Sequence, residues 1–222
     1  MSTLSQETAQ HLLAIQAVVL SPDAPFTWSS GLKSPIYCDN RLTMNYPEVR
    51  RFIAGGLSQM IQAHYPEAEV IAGTATAGIP HAAWVSDLLA LPMAYIRGSA
   101  KSHGKKKQIE GLVKPGQKVV IIEDLISTGG SVLTAVEALR EEGADVLGVL
   151  AIMTYSLPVA KQQFAEAGLD YHTLTNFSTL IHLAEEQQII SAVQKQMLER
   201  WYQDPTDEAW MNEGQKITVS KK

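Results

Sequence analysis

Two adjacent acids, Glu123 and Asp124, close the apolar run Val119-Val120-Ile121-Ile122, and a stretch rich in hydroxyls and glycine, Ser127-Thr128-Gly129-Gly130-Ser131, follows after Leu125 and Ile126. Carboxylates accept hydrogen bonds from hydroxyl groups, whereas paired glycines let a backbone approach an anion closely and serine or threonine donates to it. Acids set directly against a phosphate would repel it, so the two features divide the work. Glu123 and Asp124 suit sugar hydroxyls, and Ser127 to Ser131 suit a phosphate, so the pair reads as a ribose 5-phosphate site. Taken singly, the acids would only end a strand and Ser131 would only cap a helix. The stretch is neither a Walker loop, since no Gly-Lys-Ser/Thr follows the glycines, nor a dinucleotide fingerprint, since Gly-x-Gly-x-x-Gly is absent.

Two more segments carry the residue types of an anion site. Arg97, Lys101, His103, Lys105, Lys106 and Lys107 crowd into the segment from Arg97 to Gly111, which Gly98, Gly104 and Gly111 make flexible, in a chain whose net charge is -5. Lys105 to Lys107 read at least as well as a solvated face. The segment Gly73-Thr74-Ala75-Thr76-Ala77-Gly78 lies between the apolar Val70-Ile71-Ala72 and a helical pattern opening near Ile79, where loop amides point at an anion or simply make a tight turn.

These loops need elements to hold them. Short β-branched runs at Val70, at Met93 to Ile96, at Val119 to Ile122 and at Val146 to Met153 alternate with helical stretches opening near Ile79, Ser131 and Pro158. That alternation predicts an α/β fold, a mostly parallel sheet flanked by helices, with Val119 to Ile122 central and buried on both sides. An N-terminal helix is expected through Val19, ending before Ser21-Pro22-Asp23, and a second from about Pro47 to His64. A weaker strand is expected over Tyr171 to Leu174, then helices over about Thr179 to Glu186 and Ile189 to Tyr202.

At 222 residues and 45% hydrophobic content the chain fits one ordinary domain, 1–203, with a polar and loosely held tail over 204–222. The single cysteine, Cys38, excludes an intramolecular disulfide, and the acidic balance argues against general attraction to nucleic acid. No apolar run is long enough for a membrane helix and the first residues lack the order of a signal peptide, so a cytoplasmic protein is expected. His11, His64, His81, His172 and His182 show no metal-ligand spacing.

The stretch Val119 to Ser131 resembles the motif by which the phosphoribosyltransferase family binds 5-phosphoribosyl 1-diphosphate (PRPP). Three further segments resemble the orotate-using members of that family. Phe26 to Tyr37 is similar to their hood over the base, Gly73 to Pro80 to their diphosphate loop, and Arg97 to Gly111 to their mobile catalytic loop. The resemblance implies a type I phosphoribosyltransferase-like fold with a small hood drawn largely from 1–45. It implies transfer of phosphoribosyl from PRPP to orotate, giving orotidine 5'-phosphate and diphosphate, with Mg²⁺ held mainly by substrate. PRPP would be bound by Thr74, Ala75, Thr76, Ala77, Gly78, Arg97, Lys101, His103, Glu123, Asp124, Leu125, Ile126, Ser127, Thr128, Gly129, Gly130 and Ser131. Lys101, His103 and Asp124 would be catalytic, and Lys33, Tyr37 and Ser127 would bind orotate. The family also implies a homodimer in which the loop bearing Arg97, Lys101 and His103 serves the neighbour's pocket. Ser29, Ala77, Gly98 and Tyr155 stand where many members carry a cation, which makes Lys33 the candidate partner of the orotate carboxylate. Another purine or uracil phosphoribosyltransferase, or a PRPP-sensing regulator, is the alternative.

Overall fold

The computed structural model describes residues 3–28, 31–98 and 108–212. They form two units, one built from the chain before Thr43 and from Phe177 onward, the other spanning Thr43–Asn176. The chain enters through α1 (Leu4–Ala14), whose start is fixed by a capping box: the Thr3 side chain accepts from the Gln6 amide and Gln6 reaches back to the Thr3 amide. The helix does not continue to Val19 as its apolar spacing predicts. Gln16 takes a positive φ of 57°, and Val18–Leu20 becomes strand β1. β-Branched Val18 and Val19 favour an extended ladder over a helix, and the ladder is available downstream. After β2 (Phe26–Thr27) and β3 (Lys33–Ser34), which pair with each other, β4 (Ile36–Cys38) pairs antiparallel with β1.

A 3-10 helix at Asn40–Asn45 leads to α2 (Pro47–His64), which carries proline in its first turn, where the missing N–H costs nothing. The order is then β5 (Val70–Thr74), α3 (Gly78–Leu89), β6 (Met93–Ile96), β7 (Ile109–Glu110), β8 (Lys118–Ile126), α4 (Gly130–Glu141), β9 (Asp145–Thr154), α5 (Pro158–Glu166) and β10 (Tyr171–Asn176). The strands make one sheet in the order β10-β9-β8-β5-β6-β7, parallel except for the β6–β7 pair. Val119, Ile121, Val70, Ala72, Val149 and Ala151 form one buried cluster with Val132, Val136 and Leu139 of α4. The alternate residues Ile71, Val120, Ile122 and Leu150 are equally buried, with α2 and α3 packed on β9, β5 and β8. Each such side chain contributes roughly 1.5–3 kcal/mol by leaving water, which explains why these strands read as unbroken apolar runs.

From β5 the sheet grows outward to β6, and from β8 it grows the other way to β9 and β10. The strand order therefore reverses between β5 and β8, and a crevice opens beyond their carboxyl ends. Back in the first unit, α6 (Phe177–Glu186) and α7 (Ala192–Gln203) are followed by a 3-10 helix at Glu208–Asn212. Within the stretch expected to be a loose tail, Glu208–Asn212 is held more firmly than its polarity predicts: Trp210 is fully buried and the 3-10 helix packs on α7. One large aromatic outweighs the polar residues around it, since a buried indole removes far more apolar surface than those residues expose.

Candidate active site

The two strands at the reversal end in the two loops that the sequence singled out. β5 passes through Ala75, Thr76 and Ala77 into α3, and the tightness of that turn is set by glycine. A Cβ on Gly78 would lie 2.5 Å from the Ile122 carbonyl oxygen and 2.6 Å from Thr74 Oγ1, and one on Gly73 would lie 2.9 Å from Ile79 Cα. The Thr74 hydroxyl donates to the Ile122 carbonyl at 3.3 Å, and the Ala75 amide donates to the Ile96 carbonyl at 2.8 Å, so the loop is tied to strands on both sides. No side chain caps α3, but Pro80 has no N–H and the Ile79 amide donates to the Thr76 carbonyl at 3.4 Å, so little of this first turn remains open to an anion.

β8 ends differently. Glu123 is 7% exposed, and the Asp124 amide donates to its Oε1 at 2.8 Å. Burial pushes the Glu123 carboxyl well above the usual carboxylate range, and the side chain of Asp124 adds to the rise through a hydrogen bond and its charge. The Asp124 amide and the Thr74 hydroxyl pull the other way without reversing it. Beyond the acids, Leu125 is half-buried and Ile126 enters the core, its carbonyl accepting from the Tyr155 amide and the Thr154 hydroxyl. Ser127 is half-buried, whereas Thr128, Gly130 and Ser131 are exposed. Gly129 has φ +90°, a conformation glycine adopts without cost, and a Cβ there would lie 3.0 Å from the Phe164 ring. α4 starts at once, again without a side-chain cap.

Between these loops lies a cavity of about 110 Å³ lined by Thr74, Ala75, Ile96, Arg97, Gly98, Glu123, Ser131, Thr134 and Ala135. It joins one cation, one buried acid, three hydroxyls and the open N-terminal turn of a helix, a set that can hold a phosphorylated, polyhydroxylated ligand. Arg97, expected at a neighbour's pocket, lines the cavity of its own chain. Its amide donates to the Gln108 carbonyl at 2.9 Å, extending the β6–β7 pairing by one rung and fixing where the side chain starts. Thr76, Ala77 and Gly78 sit at the turn beside the cavity; Lys101 and His103, like Ser29, lie outside the described residues.

Lys33 and Tyr37 belong to the first unit and Ser127 to the second. Lys33 Nζ donates to Thr27 Oγ1 at 2.7 Å across the β2–β3 ribbon, and its carbonyl accepts from the Trp201 indole at 3.1 Å. Tyr37 is 44% exposed, with its ring 5.5 Å from that of Phe26. Sequence reasoning missed Thr134, whose signal was its place one turn into α4, and Glu110, whose carboxylate lies 3.6 Å from Arg97 Nη1. A two-residue strand such as β7 leaves no pattern from which that pair could be read. Among the described residues no group of three or more histidine, cysteine or acidic side chains is arranged to hold a metal ion.

Open loops at a strand reversal, paired acids and an uncapped helix turn define a phosphoribosyl-binding class of site, and comparison with known proteins agrees. The family model for the phosphoribosyl transferase domain matches residues 46–169. Orotate phosphoribosyltransferase of Bacillus cytotoxicus is 57% identical over 94% of this chain and 99% of its own. The crystal structure of orotate phosphoribosyltransferase from Aeropyrum pernix superposes with a TM-score of 0.72 at 26% identity, covering 82% of this chain and 99% of that one. The Mycobacterium tuberculosis orotate phosphoribosyltransferase in complex with PRPP superposes with a TM-score of 0.62 at 25% identity, covering 80% of this chain and 98% of that one. The chain belongs to the orotate phosphoribosyltransferase family.

Proposed function

We propose that this protein transfers the 5-phosphoribosyl group of PRPP to N1 of orotate, forming orotidine 5'-phosphate and diphosphate in pyrimidine nucleotide synthesis. The observation that carries the reading is the meeting of Thr74, Ala75, Arg97, Glu123 and Ser131 around one cavity at the strand reversal. The open turn of α4, with Ser127 to Ser131, receives the 5-phosphate, and Glu123 and Asp124 receive the ribose hydroxyls. Thr74 to Gly78 and Arg97 face the diphosphate, where negative charge grows as the bond to C1' breaks. The ribose gains oxocarbenium character in that step, and the nearby Asp124 carboxylate favours it. Lys33, Tyr37 and Ser127 are assigned to orotate.

Mg²⁺ would be held mainly by oxygens of the substrate, as this ion commonly is, rather than by a protein cage. When bound it neutralises charge on the leaving group. Lys101 and His103 complete that neutralisation from the neighbouring subunit of a homodimer, and the enzyme works in the cytoplasm. Among the described residues no helix is long and apolar enough to cross a membrane.

Incubation with PRPP and Mg²⁺ tests the assignment, following orotate loss with adenine, guanine and uracil in parallel. Orotate alone should be consumed; use of another base without orotate overturns the substrate. Loop sharing has its own test. If Lys101→Ala and Asp124→Asn proteins, each nearly inactive, exchange subunits at random, half of the dimers contain one intact site, so roughly a quarter of wild-type activity returns. No recovery despite demonstrated exchange places Lys101 over its own chain's pocket.

A further inference from the structure

Glu110 is an acid beside a site built for an anion, and the assigned roles leave it without a purpose. It stands on β7 opposite Tyr95 of β6, and its Oε1 lies 3.6 Å from Arg97 Nη1. The two side chains are each about one-third exposed, at 34% for Arg97 and 30% for Glu110. The backbone on both sides of the pair is set: Ile96 pairs with Ile109, and the Arg97 amide donates to the Gln108 carbonyl. The Gln108 side chain returns a bond to the Arg97 carbonyl at 3.4 Å. The Arg97 main chain is therefore fixed, while its long side chain has several rotamers to lose. An arginine that must meet an anion gains when that loss is met beforehand. At 3.6 Å the carboxylate faces one corner of the guanidinium as an ion pair rather than a hydrogen bond, and a planar group with five donors has another edge to offer.

We infer that Glu110 is a positioning residue for Arg97, holding one corner of its guanidinium so that the rest faces the diphosphate end of the cavity. The inference rests on the assignment of that cavity to PRPP. Glu110→Gln keeps the size of the side chain and removes its charge. The variant should raise the KM for PRPP and weaken Mg²⁺-diphosphate binding measured by calorimetry, each by about two- to fivefold, the range for a partly exposed ion pair. kcat should change less than KM, and Glu110→Asp should recover part of the affinity. The deciding measurement is the same substitution in an Arg97→Ala background, where Glu110→Gln should have no further effect on diphosphate binding. A merely structural role would lower affinity equally in both backgrounds, and that result overturns the inference. Tighter binding by Glu110→Gln also overturns it, since the carboxylate would then be a competitor. Failure of the wild-type protein to bind Mg²⁺-diphosphate or PRPP sinks the underlying assignment instead, and unchanged affinity of Glu110→Gln beside a binding wild type sinks only the role of Glu110.

Discussion

The β5–α3 and β8–α4 junctions stand side by side at the same end of the sheet, and both are short strand-to-helix turns without a side-chain cap. They hold their shape by opposite means. The first is interlocked with its neighbour: Gly78 leaves no room for a Cβ against the Ile122 carbonyl and Thr74 Oγ1. The second has open space at Gly130 and takes its shape from one glycine at positive φ, while Glu123 is buried beneath it. The contrast separates a turn made rigid by packing from a turn left open for a ligand, with the carboxyl groups confined to the open one. In the first junction, function depends on exact backbone placement; in the second it depends on particular side chains.

Substitution can break this contrast. The largest effect expected is on folding, from Gly78→Ala, which must displace backbone of β8 and should cost about 3 kcal/mol in urea denaturation. Gly130→Ala should stay within about 0.5 kcal/mol, so equal losses for the two would erase the distinction. Next comes Asp124→Asn, with turnover down on the order of 10²-fold and an unchanged denaturation midpoint, because it removes a charge used in the transition state. Near-normal turnover would make the acids mere strand ends.

A third effect separates the junctions by the sign of their pH dependence. In α3, burial pulls His81 from 6.5 down to about 4. The unfolded chain therefore takes up that proton first as pH falls, and stability drops between those values by on the order of 3 kcal/mol. Glu123 is raised, so the folded chain keeps its proton after the unfolded one has released it, and stability declines as pH climbs above the ordinary carboxylate range. Urea midpoints across pH should show His81→Gln flattening the acid limb and Glu123→Gln the alkaline limb; parallel profiles would refute both. A smaller loss is expected for Gly129→Ala, about 1–2 kcal/mol from forcing a side chain into the left-handed region, measurable in the same denaturation series.

The same contrast explains what could be read from the sequence. Val119 to Ile126, Gly129 and the acids were legible because a central strand is apolar on both faces and its loop must use glycine and hydroxyls, all local facts. Met93–Ile96, Pro47–His64 and the opening of α5 at Pro158 emerged for similar reasons. The interlock of Thr74 with Ile122 was not legible, since it joins residues 48 apart in the chain. Nor was the pairing of β1 with β4, where a helical spacing of apolar residues lost to a distant ladder. Arg97 was recognised as a cation for the site, but its partner Glu110 depends on β6–β7 register.

Trp28, Trp201 and Trp210 belong to the first unit, with the rings of Trp28 and Trp201 edge-on at 5.8 Å, while Trp84 belongs to the second, beneath the Arg50 guanidinium at 5.2 Å. These are the four indoles of the chain. The molecule therefore carries a partitioned set of optical labels. Trp84→Phe would leave tryptophan emission, excited selectively over tyrosine, reporting on the first unit alone, and the difference from wild type would report on the sheet-bearing unit. Whether the two melt together or in succession becomes a question that emission from the native chromophores answers without any added dye.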